Sequence, residues 1–292
     1  MPAPIGIDDI STEVYTWYGT PGDDHQNYRP TTTLGKYDSL DPLVVAVQVA
    51  QLRTAGVTTV RMSDWDDHVR STQAIGLWLE SIPESYHPGL TLSCMSERFQ
   101  DDTPPDAFAM LSYLVRRRSF FADSSYRREN GRAVVHFYMP PNNPYKVDAL
   151  WRAGQAYKAL FNEELDLRPN WYTTMASDPH RRDFTWWGYD VTTRLNTTLV
   201  VDGFVLVSCG YRNPKTGEVK LARDYNAVAA ALADGVKQLQ ASPAKRRELS
   251  VHTFNEWIEE SGWQPETGAL GYGHLMVINK ALNLPAGALV GA

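Results

Sequence analysis

The segment VHTFNEWIEESGWQPE, residues 251–266, ends an apolar run in Asn255, Glu256 and Trp257 and adds Glu259 and Glu260 within the next turn. Residues three apart in a turn or helix share a face, with Cβ atoms about 5–6 Å apart, so Glu256 and Glu259 can point into one cleft. Two carboxyl groups that close do not ionise independently; one stays protonated near neutrality while its partner carries the charge. Glycosidic cleavage needs that division of labour. One group protonates the leaving oxygen and the other assists attack at the anomeric carbon. Retaining glycosidases hold their two carboxyl groups about 5–5.5 Å apart. Trp257 and Trp263 are near enough in sequence to help desolvate the pair. By itself E-x-x-E is common on solvated helix faces. Its place at the end of the last strand-like run makes it a candidate site.

Such a pair must be held by a scaffold, and the chain shows one. Eight β-rich runs recur: 14–19, 58–65, 90–97, 133–139, 168–174, 184–189, 204–211 and 248–257. Amphipathic segments separate most of them, at 41–56, 69–82, 105–122, 147–162 and 224–240. The first has Asp41 as N-cap, Pro42 at the first helical position and Gly56 as the stop; the last has Asp224 as cap. Residues 190–203, rich in Thr and Asn, read as a weak helix. Strands alternating with helices argue for a parallel sheet with crossover helices. Eight of them predict an α/β fold, a single-domain (β/α)8 TIM barrel over residues 1–292. No linker, low-complexity tract or short-period repeat interrupts it.

Active residues of such barrels lie at the C-terminal ends of the strands. Here those ends carry Trp17–Tyr18, Asp64–Trp65–Asp66, Glu97, Tyr138, Tyr172, Trp186–Trp187, Tyr211–Arg212 and Asn255–Glu256. The sequence also holds nine Trp and fifteen Tyr, several beside Asp, Asn or His. Rings that stack on sugar faces, next to acids that bind hydroxyls, suit a carbohydrate cleft. The expected substrate-binding residues are Trp17, Tyr18, Trp65, Glu97, Tyr138, Trp187, Tyr211, Asn255 and Trp257.

Composition removes other functions. The formal net charge of -6 disfavours a nucleic-acid partner. No apolar stretch reaches the roughly 20 residues of a membrane span. Cys94 and Cys209 lie inside apolar runs and read as buried free thiols. The seven His show no H-x-x-x-H or H-x-H spacing, so no metal and no cofactor is expected. PGDDH (21–25) and SDWDDH (63–68) cluster acids without an EF-hand pattern, and sugar-hydroxyl binding or loop-tip solvation suits them better than Ca²⁺. No G-x-S-x-G or Gly-rich phosphate loop is present. RRR (116–118) and KRR (245–247) sit near predicted helix ends, where cations suit the dipole. The first residues, MPAPIGIDDIST, lack a basic n-region and an apolar h-region, so no signal peptide is expected. Compartment and oligomeric state stay open.

VHTFNEWIEESGWQPE resembles the strand-8 signature of the glycoside hydrolase family 99 (GH99) endo-α-mannosidases and their wider GH71/GH99/WbsX-like group, close to FNEWHEGT-x-IEP. TWYGTPGDDHQNYRP is similar to that group's first-strand segment. GKYDSLDPLVVAVQVAQLRTAGVTTVRMSDW resembles the block that follows it, and NGRAVVHFYM its fourth strand. The similarity runs in order over most of the chain, with residues 165–245 matching poorly. It implies a retaining, endo-acting hydrolase of an α-linked polysaccharide or glycan, with no metal. By this resemblance Glu256 acts as base on the sugar's own 2-hydroxyl, giving a 1,2-anhydro sugar intermediate, and Glu259 is the general acid/base. Glu97 matches a glutamate that binds sugar hydroxyls, and Trp17, Tyr18, Trp65 and Tyr138 fall on substrate-lining positions. Ile258 stands where the group has His, and Glu260 where it has Gly, which leaves open whether Glu259 or Glu260 is the acid. Two other functions fit the same pattern: WbsX-like glycosyl transfer in surface-polysaccharide synthesis, and non-catalytic glycan binding in a surface or virion assembly.

Overall fold

A computed structural model describes residues 7–19, 32–66, 69–83, 89–100, 106–138, 144–171, 179–180, 183–185, 187–188, 199–201, 203–213, 215–221, 223–255, 262–265 and 273–281. In chain order these form β1 (Asp9–Val14), α1 (Pro42–Thr54), β2 (Thr59–Asp64), α2 (Val69–Ser81), β3 (Thr91–Ser96), α3 (Ala107–Phe121), β4 (Arg128–Glu129), β5 (Arg132–Phe137), α4 (Pro144–Phe161), β6 (Leu165–Trp171), β7 (Trp187–Gly188), β8 (Leu199–Val201), β9 (Phe204–Ser208), β10 (Tyr211–Arg212), β11 (Val219–Leu221), α5 (Tyr225–Ala241), β12 (Glu248–His252) and α6 (Gly273–Ala281). The parallel strands run in the order β7, β6, β5, β3, β2, β1, β12, β9, which is chain order around a ring. Trp187 on β7 packs against Phe204 and Leu206 on β9, bringing the two ends of that order together. The fold is α/β, a (β/α)8 barrel.

The helix signals are realised with their expected chemistry. Asp41 accepts from Leu43 N at 2.9 Å with Pro42 behind it, and Asp224 accepts from Asn226 N and Ala227 N at 2.7 and 3.1 Å. Asp106 caps α3 in the same way. Helix α4 begins one turn before the predicted 147. Three expectations are corrected. The first strand is Asp9–Val14, so the predicted run 14–19 shares only Val14 with it; the polar letters of DISTEV hide a strand buried on both faces. The seventh strand stops at Ser208, and after Gly210 the chain forms a separate antiparallel ribbon, β10–β11. The predicted weak helix 190–203 contains β8, an antiparallel strand paired to β9. The letters Asp202-Gly203 between two apolar runs are a hairpin signal. Gly203 has φ of +85°, and a Cβ there would collide with the Arg246 carbonyl oxygen. Asn130 and Gly131, with φ of 50° and 79°, make the matching turn between β4 and β5.

The apolar core lies outside the barrel. Outward residues such as Ile10, Val14, Val60, Met62, Leu92, Val135, Val205, Leu249 and Val251 pack against helix residues that include Val45, Leu52, Trp78, Leu114 and Leu232. Inside the barrel, a small apolar cluster of Met95, Trp187, Phe204 and Leu206 accompanies an ionic network. Arg61 on β2 reaches over β1 to Glu248 and Ser250 on β12, and its guanidinium lies 5.3 Å from the Trp187 ring centroid. Arg127 pairs with Glu248 at 2.8 Å, and Arg168 pairs with Asp166 at 2.7 Å. Both cysteines are free and buried, as expected; burial pushes the Cys209 thiol up to about 12 and that of Cys94 higher still.

Candidate active site

The strands' C-terminal ends carry the polar and aromatic residues, so the site is built from β1 outward. After Val14 the chain turns through Tyr15, Trp17 and Tyr18. Asn255, three residues past the end of β12, holds this turn on the neighbouring strand. Its Oδ1 accepts from Tyr15 N at 2.7 Å, and its Nδ2 donates to the Tyr15 carbonyl at 2.9 Å and to Tyr37 Oη at 3.1 Å. Tyr18 Oη donates back to the Asn255 carbonyl oxygen, and the Tyr18 carbonyl accepts from Arg70 Nε at 3.0 Å. The turn needs a glycine at its end. Gly19 has φ of +99°, and a Cβ there would press on Arg70 and Asp38, which form an ion pair.

The expected site residues therefore divide into partly exposed and buried groups. Trp17 is half-buried, with its ring centroid 4.4 Å from Tyr15 and 6.3 Å from Trp65 in an edge-on arrangement; Trp65 is 36% exposed. Tyr138, half-buried, borders the cluster of Met95, Trp187, Phe204 and Leu206 inside the barrel. Tyr211 is half-buried at the start of the β10–β11 ribbon. Tyr18 and Asn255 are buried, with hydrogen bonds to the scaffold. Trp187 is also buried, edge-on to His136 at 5.6 Å. All three are expected as substrate-binding residues, and all three are buried among neighbouring residues. Glu97 is buried directly after β3, with its backbone N–H on the Asp64 carbonyl at 3.0 Å. Glu256, Trp257, Glu259 and Glu260 lie outside the described residues, as do Tyr172 and Trp186.

Asp64 and Asp66, in the acid cluster read as sugar-hydroxyl binding or loop-tip solvation, pair with residues of α3 and with Arg98. Asp64 takes Arg117 Nε at 2.6 Å and Tyr113 Oη at 3.0 Å. Asp66 pairs with Arg98 at 2.8 Å and with Arg116. The RRR run thus works through specific carboxylates as well as through the helix terminus. Among the described residues no three His, Cys, Asp or Glu side chains converge as a metal would require.

Three interior residues escaped the sequence reading. Glu13, the last inward residue of β1, is fully buried. Its Oε1 accepts from Arg61 Nε at 3.0 Å, and its Oε2 lies 3.1 Å from His252 Nδ1. Burial opposes its charge, but Arg61 and the hydrogen bond from His252 overcome that and lower its carboxyl to about 2. His252 is the last residue of β12. The available signal was alternation: Ser11 and Glu13, Arg61 and Ser63, Ser250 and His252 occupy every second position of their strands, as inward residues must.

No family model and no curated protein matches the sequence. Solved structures do. The GH99 endo-α-mannosidase from Bacteroides thetaiotaomicron with bound Bis-Tris-propane superposes with a TM-score of 0.66 at 16% identity, covering 94% of this chain and 95% of that one. Another structure of a GH99 endo-α-mannosidase from that organism gives 0.64 at 15% identity, covering 94% and 96%. A glycoside hydrolase-like protein gives 0.67 at 12% identity, covering 97% and 96%. At these identities the likeness is one of fold, and it extends over nearly the whole of each chain.

Proposed function

We propose that the chain is a glycoside hydrolase that cleaves within an α-linked polysaccharide or glycan, with retention, using Glu256 and Glu259. One observation carries this reading: a barrel superposing end to end on GH99 endo-α-mannosidase structures continues from its last strand directly into the N-E-W-x-E-E sequence. In this reading Glu259 protonates the glycosidic oxygen as it leaves. Glu256 acts as base on the sugar's 2-hydroxyl, whose oxygen then attacks the anomeric carbon and forms a 1,2-anhydro intermediate. Water opens that intermediate at the anomeric carbon with Glu259 as base, while Glu256 returns its proton to the 2-oxygen. Trp17, Trp65 and Tyr138 form the sugar-facing wall, and Glu97 binds hydroxyls beside it. Trp257 and Tyr211 complete the cleft. Tyr18, Asn255 and Trp187 hold these groups in place.

The test is product analysis by mass spectrometry over α-mannans, α-glucans and bacterial cell-wall polysaccharides, with wild type beside Glu256→Gln and Glu259→Gln. Oligosaccharides released by wild type, at a rate that falls about 10²–10⁴-fold in either variant, are the expected result, since that is what a positioned general acid or base contributes. Release of nothing by a folded wild type would sink the hydrolase reading. Glycosyl transfer to an added acceptor, or glycan binding without turnover, would then replace it.

A further inference from the structure

The arginine run of α3 is tied to one short turn at the end of β2. Asp64, the last residue of that strand, is fully buried. Arg117 grips its carboxylate with two nitrogens, Nε to Oδ2 at 2.6 Å and Nη2 to Oδ1 at 2.8 Å. Asp66 is buried as well. Its Oδ1 accepts from Arg116 Nε at 3.0 Å, and its Oδ2 accepts from Arg116 Nη2 and from Arg98 Nη1 at 2.8 Å. Its carbonyl accepts from Arg117 Nη2 at 3.2 Å, and its N–H donates to Asp64 Oδ1 at 3.1 Å. A guanidinium fork on two carboxylate oxygens fixes orientation as well as distance. Asp66 has φ of 55°, the left-handed region that residues other than glycine seldom take. Such a backbone persists where its surroundings hold it, and three arginines do so here. Trp65 is the residue between the two aspartates. Neighbouring side chains of an extended segment point to opposite sides. With both aspartates turned to α3, Trp65 is turned away from it, 36% exposed and with its ring centroid 6.3 Å from that of Trp17. A partly exposed ring on a backbone held this firmly loses little freedom when a ligand packs on it.

We propose that Arg116 and Arg117 are positioning residues for glycan binding: through Asp66 and Asp64 they preset the Trp65 indole beside Trp17 as one edge of the sugar-facing wall. Arg98 completes the clamp from the other side of Asp66. The inference rests on the wall assigned under the hydrolase reading above.

Arg116→Gln tests it, because the Arg116 side chain is half-exposed and Asp66 keeps Arg98 as a partner. Two indoles this close couple in near-ultraviolet circular dichroism. The band lost in Trp65→Phe is expected to be lost in Arg116→Gln also, at a melting temperature close to that of wild type. A band retained in Arg116→Gln, or no band lost in Trp65→Phe, overturns the proposal without any assay. On the glycan that wild type cleaves, Arg116→Gln is expected to raise KM about three- to tenfold with kcat within about twofold, and to add less than about twofold to KM in a Trp65→Ala background, since residues of one network do not act additively. Arg116→Lys, which keeps the charge without the fork, is expected to recover part of the loss. If Arg116→Gln does not fold, Arg98→Gln takes its place, read in the same way. A KM that is unchanged, or that rises as much without Trp65 as with it, refutes the clamp and leaves the hydrolase reading standing. A wild type inactive on every glycan refutes both, and reduces the clamp to a contact between β2 and α3.

Discussion

At the scale of single residues, the barrel interior sets the sharpest expectations. Arg61 compensates two buried carboxylates, Glu13 and Glu248, and is itself wholly buried. Breaking a buried pair from one side leaves the other charge without its partner, at a cost of about 3–5 kcal/mol. Urea unfolding of Arg61→Met is expected to show a loss of that size. A loss under about 1 kcal/mol would mean that the carboxylates are solvated or protonated in the fold. The proposed cleft wall makes a different prediction. Trp65 is partly exposed beside Trp17 and contributes little to the core, so Trp65→Ala is expected to raise KM severalfold and leave the melting temperature nearly unchanged. A stable variant with unaltered KM would remove Trp65 from the substrate path.

At the scale of elements, caps and turns tie the strand ends to their neighbours. Asp224 satisfies two backbone N–H groups at the start of α5, the helix packed behind β9 and β12. Asp224→Ala is expected to cost about 1 kcal/mol in thermal or urea unfolding, the usual value of an N-cap. The loop after β1 is more consequential. Asn255 joins the ends of β1 and β12 by hydrogen bonds to both backbone polar groups of Tyr15. The Asn255 side chain thus supports the backbone turn that presents Trp17. This role predicts that Asn255→Ala lowers both stability and turnover. A variant that loses turnover at full stability would make Asn255 a substrate contact.

At the scale of the whole molecule, an ionic barrel interior ties folding to pH. The ordinary value of 4.5 for Glu13 falls to about 2 in the fold, after burial is outweighed by Arg61 and His252. A depressed carboxylate stabilises the fold fully above its unfolded value and loses that contribution as pH falls through the folded one. The window for Glu13 therefore runs from about 4.5 down to about 2, and a shift of this size is worth about 3 kcal/mol. Glu248 is also lowered, since Arg127 and Arg61 outweigh its burial, and adds in the same direction. Circular dichroism is expected to show stability falling steeply below pH 4.5, with little response to salt, because buried pairs are poorly screened. A flat profile from pH 6 to pH 3 would contradict the network.

The amino-acid sequence by itself determined the number and order of the parallel strands, because apolar runs of strand length alternate with capped helical segments, and these signals are local. It also placed Asp41 and Asp224 as caps and both cysteines in the core. It did not show where the first strand lies. The Glu and Ser of DISTEV look solvated until Arg61, 48 residues away from Glu13, is brought beside them. The same distance effect hid the roles of Asp64 and Asp66. Their Arg116 and Arg117 partners are on α3, about 50 residues further along, so acids that read in the sequence as sugar-hydroxyl binding or loop-tip solvation form ion pairs that no local signal shows. Tyr18 and Asn255 show the limit most plainly. Side-chain type and strand-end position mark them as candidate substrate contacts; that their polar atoms meet neighbouring backbone was decided only by tertiary packing, because that depends on which two chain segments share the space.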